Sequence, residues 1–177
     1  HICFATSEAV PFAKTGGLAD VCGALPRELA KLGHTVTLVM PAYRGITHRG
    51  QAVQSTGIEM QIPVGGKLVA AKILVSQLPD SEVTVYFVQQ DDYFDRDGVY
   101  GEQGVDYEDN CERFVFFCRA VVQLIQQACL DVDLIHAHDW TTGLIPALLK
   151  IESGDSERLS RVASLMTIHN LAYQGTF

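Results

Sequence analysis

The first forty residues constrain the fold more than any other stretch. Ile2 to Thr6 is an apolar run of strand length. From Gly17 to Leu32 the apolar residues Leu18, Val21, Cys22, Leu25, Leu29 and Leu32 recur at three- and four-residue steps, which predicts a helix with one core face and Gly33 as its stop. Thr35 to Met40 is a second strand, ended by Pro41. A strand, a helix and a strand of these lengths make a right-handed βαβ unit with a parallel sheet.

The rest of the chain continues the alternation. Val53 to Ile62 and Leu68 to Val75 flank Pro63-Val64-Gly65-Gly66 and predict an inserted two-stranded hairpin. Val83 to Val88 is a buried strand, and Asp91 to Gly104, rich in Asp, Tyr and Gly without an apolar period, is a long loop. A long helix follows from about Asp106 to Leu130, with Phe114, Phe117, Cys118, Val121, Ile125 and Cys129 on its apolar face. Then come a strand (Val132 to Ala137), a helix (Thr142 to Ile151), a polar turn (Ser153 to Ser160) and a last strand (Ala163 to Ile168). This order predicts a Rossmann-like, doubly wound, mostly parallel α/β sheet with helices on both faces, one domain over residues 1–177. Ligands of such sheets bind at the carboxyl ends of the strands. Ser7 to Gly17, Asp91 to Gly104, His138-Asp139-Trp140 and His169-Asn170 are therefore expected to line one crevice.

Composition narrows the partners. The 177 residues, 47% hydrophobic, are enough to bury a core, and 13 basic against 21 acidic residues disfavour a nucleic-acid partner, with no basic patch in view. No apolar run reaches membrane-spanning length, so no membrane partner is expected. The five cysteines are odd in number, lack CxxC spacing and fall in apolar runs, which reads as reduced core thiols. Without an initiating Met or a signal sequence, the chain is expected to be an excised or processed piece.

The stretch Lys14-Thr15-Gly16-Gly17-Leu18-Ala19-Asp20-Val21 is the turn from the first strand into the first helix. Its glycines let backbone approach a ligand, the helix start offers free N–H groups, and Lys14 adds a cation suited to a phosphate. A tight connection without ligand is the alternative. Neither GxGxxG at this turn nor GxxxxGK[ST] is present, so no dinucleotide or P-loop site is indicated. His136 and His138 alternate onto one face of their strand; they lack a third ligand at zinc spacing, and His136 reads as a hydrogen-bonded core histidine. Asp139 lies past the strand end, placed to accept sugar hydroxyls or to cap the next helix, and Trp140 beside it binds or only packs. Thr167 to Gly175 puts His169, Asn170 and Gln174 on one loop. The loop Asp91 to Gly98 fails as a calcium site, because Tyr93 and Gly104 hold the first and last ligand positions. It offers Tyr93, Asp95, Arg96 and Tyr100 to a carbohydrate, or is a solvated turn.

Together, Ser7-Glu8, Lys14 to Val21, Tyr93-Phe-Asp-Arg-Asp-Gly98, His136-Ala-His-Asp-Trp140 and His169-Asn-Leu-Ala-Tyr-Gln-Gly175 resemble, in order, the bacterial glycogen synthase and plant starch synthase family. The cyanobacterial and plastid branches are the most similar. The resemblance implies a retaining glucosyltransferase of the two-domain GT-B type, moving glucose from ADP-glucose to the non-reducing end of an α-1,4-glucan, with no metal or cofactor. In that family retention is explained by front-face attack, the departing phosphate helping to deprotonate the incoming hydroxyl, and the resemblance implies the same here.

On this chain the resemblance implies that Lys14, Thr15, Gly16 and Gly17 face the donor diphosphate, and that Asp139, His169 and Asn170 face the transferred glucose. The main-chain carbonyl of His169 is then expected near the anomeric carbon. Glu8, Asp20, Tyr93 and Trp140 are expected on the sugar or acceptor side. The implied site is completed by a C-terminal domain, so residues 1–177 alone are expected to show no glucosyl transfer. The implied location is the cytoplasm or the plastid stroma, with association to glucan granules left open. A non-catalytic glucan-binding module of the same fold, or a transferase using another nucleotide sugar, is the competing reading.

Overall fold

In this computed structural model, which describes residues 1–46, 52–152, 154 and 156–176, β1 (Ile2–Ala5) runs through the middle of the sheet with Cys3, Phe4 and Ala5 fully buried. It pairs in parallel with β2 (Val36–Pro41) on one side and with β8 (Leu134–His138) on the other. β5 (Thr84–Gln89) and β9 (Ala163–Thr167) extend the parallel sheet outward, and the hairpin β3 (Gln54–Val64) and β4 (Lys67–Gln77) adds antiparallel beyond β5. The strand order is β3-β4-β5-β2-β1-β8-β9.

From β1 the chain turns through α1 (Gly17–Lys31) to β2, and from β8 it turns the opposite way through α4 (Ile145–Glu152) to β9. Right-handed crossovers of opposite direction place α1 and α4 on opposite faces. α3 (Asn110–Gln127), which carries the chain back from β5 to β8, packs beside α4. The direction of winding reverses between β1 and β8, where Ala5 pairs with Ala137. A doubly wound sheet opens its crevice at that point.

Several boundaries and faces differ from expectation for local physical reasons. On α1 the buried stripe is Leu18, Ala19, Cys22, Gly23 and Pro26, whereas Val21 is 38% and Leu32 76% exposed. The helix lies so close to the preceding loop that a Cβ on Gly23 would meet Val10 Cγ2 at 2.3 Å, so small residues take the contact face. The hairpin turn is only Gly65-Gly66, with Gly65 at φ +59°, and both strands run longer than the apolar pattern indicates. A 3-10 turn (Trp140–Thr142) precedes α4, and α5 (Glu157–Ser160), capped by Ser156, forms within the expected polar turn, whose Ser153 and Asp155 lie outside the described residues. Cys3, Cys22 and Cys118 are buried thiols pushed up to about 11, about 12 and about 12 by burial. Cys111 and Cys129 are exposed instead, Cys129 because it follows α3 at φ +51° and leaves the helical face.

The expected loop after β5 is ordered. It contains α2 (Asp91–Phe94) and a small hairpin, β6 (Gly101–Glu102) with β7 (Val105–Asp106), so α3 starts at Asn110 rather than Asp106. A Cβ on Gly98 would lie 1.8 Å from the Gly101 carbonyl oxygen, which only glycine tolerates. Arg113 pins the segment from inside: fully buried, it donates to the carbonyls of Tyr93 (2.7 Å) and Val99 (3.1 and 3.2 Å) and to Asn110 Oδ1 (2.6 Å). Arg113→Leu would leave these acceptors buried without donors. An expected loss of about 3 kcal/mol follows, measurable by urea unfolding, and a loss below about 0.5 kcal/mol would show that Arg113 does not hold the segment. No helix among the described residues is long and apolar enough to cross a membrane.

Candidate functional site

The four segments expected at one crevice do meet there. Thr141 Oγ1 donates to Ser7 Oγ (3.1 Å), Ser7 Oγ and Tyr100 OH are 2.7 Å apart, and Tyr100 OH donates to Glu8 Oε1 (2.6 Å). With the single Tyr100 proton committed to Glu8, Ser7 must donate to Tyr100, and the hydroxyls run one way from Thr141 to Glu8. Burial raises the Tyr100 pKa, reinforced by Tyr43 and by the Glu8 carboxylate, so the phenol stays a donor.

Glu8 is 2% exposed. Besides Tyr100, its carboxylate accepts from Thr15 Oγ1 (2.8 Å), from the Thr15 N–H and from the Gly16 N–H (3.3 Å). This corrects two expectations. Glu8 faces inward as the brace of the glycine turn rather than toward an acceptor, and the Thr15 and Gly16 amides are already engaged by it. The N–H groups of Gly17, Leu18 and Ala19 remain, as first-turn donors without partners in the helix ladder. Neither Gly16 nor Gly17 has positive φ, and a Cβ on either would meet nothing within 4 Å. The glycines thus serve no internal contact and leave open space before the helix end. Lys14 Nζ sits on Asp20 at 2.6 and 2.7 Å, with side chains 52% and 56% exposed. An ion pair so exposed contributes less than about 1 kcal/mol, so a polyanion can take Lys14 from Asp20.

Asp139 has φ +58° and ψ −178°. That region is essentially glycine's, and holding another residue in it costs about 1–3 kcal/mol. The strain is set by bonds on both sides: Asp139 N–H donates to the Thr167 carbonyl (2.9 Å), the Asp139 carbonyl accepts from Thr142 N–H (3.1 Å), and the Thr142 hydroxyl donates to the His138 carbonyl just before it (2.8 Å). Its side chain does not cap the following turn. Asp139 Oδ1 instead accepts from the His169 N–H (2.7 Å), joining the ends of β8 and β9. Burial first, and then the charges of Asp139 and Glu8, raise the Cys22 thiol on α1.

Behind Asp139 lies a stack of imidazoles. The His136 and His138 rings are 4.0 Å apart, Phe4 stacks on His138 at 5.3 Å, and His138 Nδ1 is 2.9 Å from His169 Nε2. His136 bonds Thr167 Oγ1 (2.7 Å), the core role expected of it. Among the described residues no three His, Cys, Asp or Glu side chains could hold a metal. Burial, then the neighbouring histidines, lowers His138 from 6.5 to about 3. Between those pH values the unfolded chain binds a proton that folded His138 refuses, so its contribution to stability is full above 6.5 and is lost as pH falls through that window. The expected slope from this group is about 1.4 kcal/mol per pH unit. Unfolding of His138→Phe across that range should show a shallower acid dependence; an equal one would mean that His138 titrates normally.

Other expected site residues lie elsewhere in function. Tyr93 is buried on Phe94 and Phe116, and its hydroxyl donates to Glu112, so its ring presents no open face to an acceptor. Trp140 packs edge-on against Phe114 (5.0 Å) and beside Tyr100 (6.0 Å), and a Cβ on Gly175 would come within 2.6 Å of its ring. It is a packing hub under the last loop. Asn170 Oδ1 accepts from Ala172 N–H (3.0 Å) and shapes the exposed turn after His169. A cavity of about 450 Å³ lined by Tyr43, Arg44, Gln89 and Asp95 lies past β2 and β5, and none of Lys14, Asp139 and His169 lines it.

The sequence and the fold are shared with known proteins. The family model described as "Starch synthase catalytic domain" matches residues 1–177. Glycogen synthase of Rhodopirellula baltica is 43% identical over 186 residues, covering 100% of this chain and 37% of its own. Glycogen synthase of Syntrophotalea carbinolica is 46% identical over 177 residues, covering 100% and 36%. The solved catalytic domain of starch synthase IV from Arabidopsis thaliana, bound to ADP and acarbose, superposes with a TM-score of 0.86 at 29% identity, over 99% of this chain and 35% of that one. The chain thus spans little more than a third of the length of these relatives.

Proposed function

The chain belongs to the starch synthase catalytic domain family, and on that premise we propose that it forms the half of a glucosyltransferase site that receives the diphosphate and the glucose of ADP-glucose. The observation that carries the reading is the free first turn of α1 after β1, with Lys14 beside it, and Asp139 holding His169 where β8 and β9 end at the same edge of the sheet. The Gly17, Leu18 and Ala19 amides and Lys14 supply a fixed positive field for a leaving diphosphate. That field favours departure of the phosphate, because negative charge grows there as the glycosidic bond breaks.

Asp139 and His169 form the sugar end. The Asp139 carboxylate keeps one oxygen on the His169 N–H and has a second to accept a glucose hydroxyl, while its grip fixes the His169 carbonyl relative to the sugar. Asp20, once Lys14 turns to phosphate, is a free exposed carboxylate for the incoming glucan. The acceptor proposed is the non-reducing end of an α-1,4-glucan, with retention at the anomeric carbon. A second domain in the whole protein supplies the rest of the nucleotide pocket; the relatives' greater length supports this. The location proposed is that of the bacterial relatives' polymer synthesis, the cytoplasm.

The test is glucosyl transfer by the whole protein. Labelled glucose from ADP-glucose is expected in a linear malto-oligosaccharide, faster than from UDP-glucose and undiminished by EDTA, since the charge on the leaving group is met by Lys14 and amides. A rate that collapses with EDTA and returns with a divalent cation would contradict the metal-free reading.

A further inference from the structure

His138 is fully buried, yet among the described residues its Nε2 has no hydrogen-bond partner, while its Nδ1 lies 2.9 Å from His169 Nε2. Two neutral imidazoles in contact share one proton between them, so their tautomers are linked. If His169 donated from Nε2, His138 would have to accept at Nδ1 and carry its own proton on Nε2, a buried N–H donor with nothing to receive it. Buried orphan donors are rarer than buried orphan acceptors. With the proton on His138 Nδ1, the orphan is only a bare ring nitrogen. His138 then donates to His169 Nε2, and neutral His169 must hold its own proton on Nδ1.

We infer that His138 is a positioning residue that fixes His169 as its Nδ1–H tautomer and presents that N–H, from an exposed ring, to an oxygen of the bound sugar. This rests on the reading of His169 as a glucose contact. His138 is well placed for the task. Phe4 stacks on it nearly parallel, at 15°, and the His136 ring lies 4.0 Å from it, so the ring cannot turn without disturbing β1 and β8. Burial also keeps it neutral. His169 is thereby held twice, by Asp139 on its backbone N–H and by His138 on its ring. Its side chain reaches the sugar as a donor only, which suits a hydroxyl or ring oxygen and leaves no free acceptor nitrogen at that edge.

The experiment is long-range 1H–15N correlation of the histidine rings in the whole protein, labelled with 15N at histidine, near neutral pH. His169 is expected to show a protonated Nδ1 and an unprotonated Nε2. The reverse pattern, proton on Nε2, would overturn the inference. His138→Phe keeps the ring packing and removes the donor; His169 should then revert toward the Nε2–H form that free histidine prefers. Its kcat should fall about 10- to 100-fold with little change in KM for ADP-glucose, and an unchanged His169 tautomer in that variant would also overturn the inference. The nuclear magnetic resonance readout needs no turnover. Absence of glucosyl transfer would therefore sink the proposed function while the tautomer result still judges His138.

Discussion

Asp139→Ala and Asp139→Gly in the whole protein should both lose glucosyl transfer, by about 1,000-fold in kcat, yet differ in stability. Each removes the carboxylate that holds the His169 N–H and, in the proposed site, a glucose hydroxyl. About 4 kcal/mol of transition-state stabilisation corresponds to that loss. Only the glycine variant relieves the backbone, because φ +58° with ψ −178° is open to glycine and closed to alanine. Asp139→Gly is therefore expected to be about 1 kcal/mol more stable than Asp139→Ala, even though glycine costs more entropy on folding. Urea unfolding beside steady-state kinetics reads both. Equal stability of the two variants would mean that the strain at Asp139 is not real, and wild-type activity in either would remove Asp139 from the site.

Lys14→Gln should lower kcat/KM for ADP-glucose about 100-fold, chiefly through the donor, and leave KM for the glucan within about threefold. The paired control is Asp20→Asn. Because the Lys14–Asp20 pair is half exposed and weak, freeing Lys14 from it should leave donor KM within about fivefold of wild type and act on the glucan side instead. If Lys14→Gln changed glucan use and spared the donor, the assignment of the two side chains would have to be exchanged.

Much of the fold was legible from local periodicity. β1, α1 and β2 are set by apolar spacing within the first forty residues, and Gly33, the expected stop, follows the end of α1 at φ +93°. The crevice followed from topology, since each functional segment leaves the carboxyl end of a parallel strand. What periodicity could not reach were contacts between distant residues. The bond from Tyr100 to Glu8 spans 92 positions and that from Thr141 to Ser7 spans 134, so no spacing announces that Glu8 is sealed inside and occupies two amides of the glycine turn. Tyr93 likewise looked like a sugar platform in an Asp-rich loop, but α2, too short to show a period, turns it into the core. The strain at Asp139 is invisible in sequence, because an aspartate there reads as an ordinary helix cap.

The most direct measurement is transfer of labelled glucose from ADP-glucose to a malto-oligosaccharide by the whole protein, compared with its Lys14→Gln variant at limiting donor. Label is expected at the non-reducing end with the α configuration kept, and a rate about 100-fold lower in the variant. Transfer by the variant at the wild-type rate would contradict the claim that the turn from β1 into α1 receives the diphosphate.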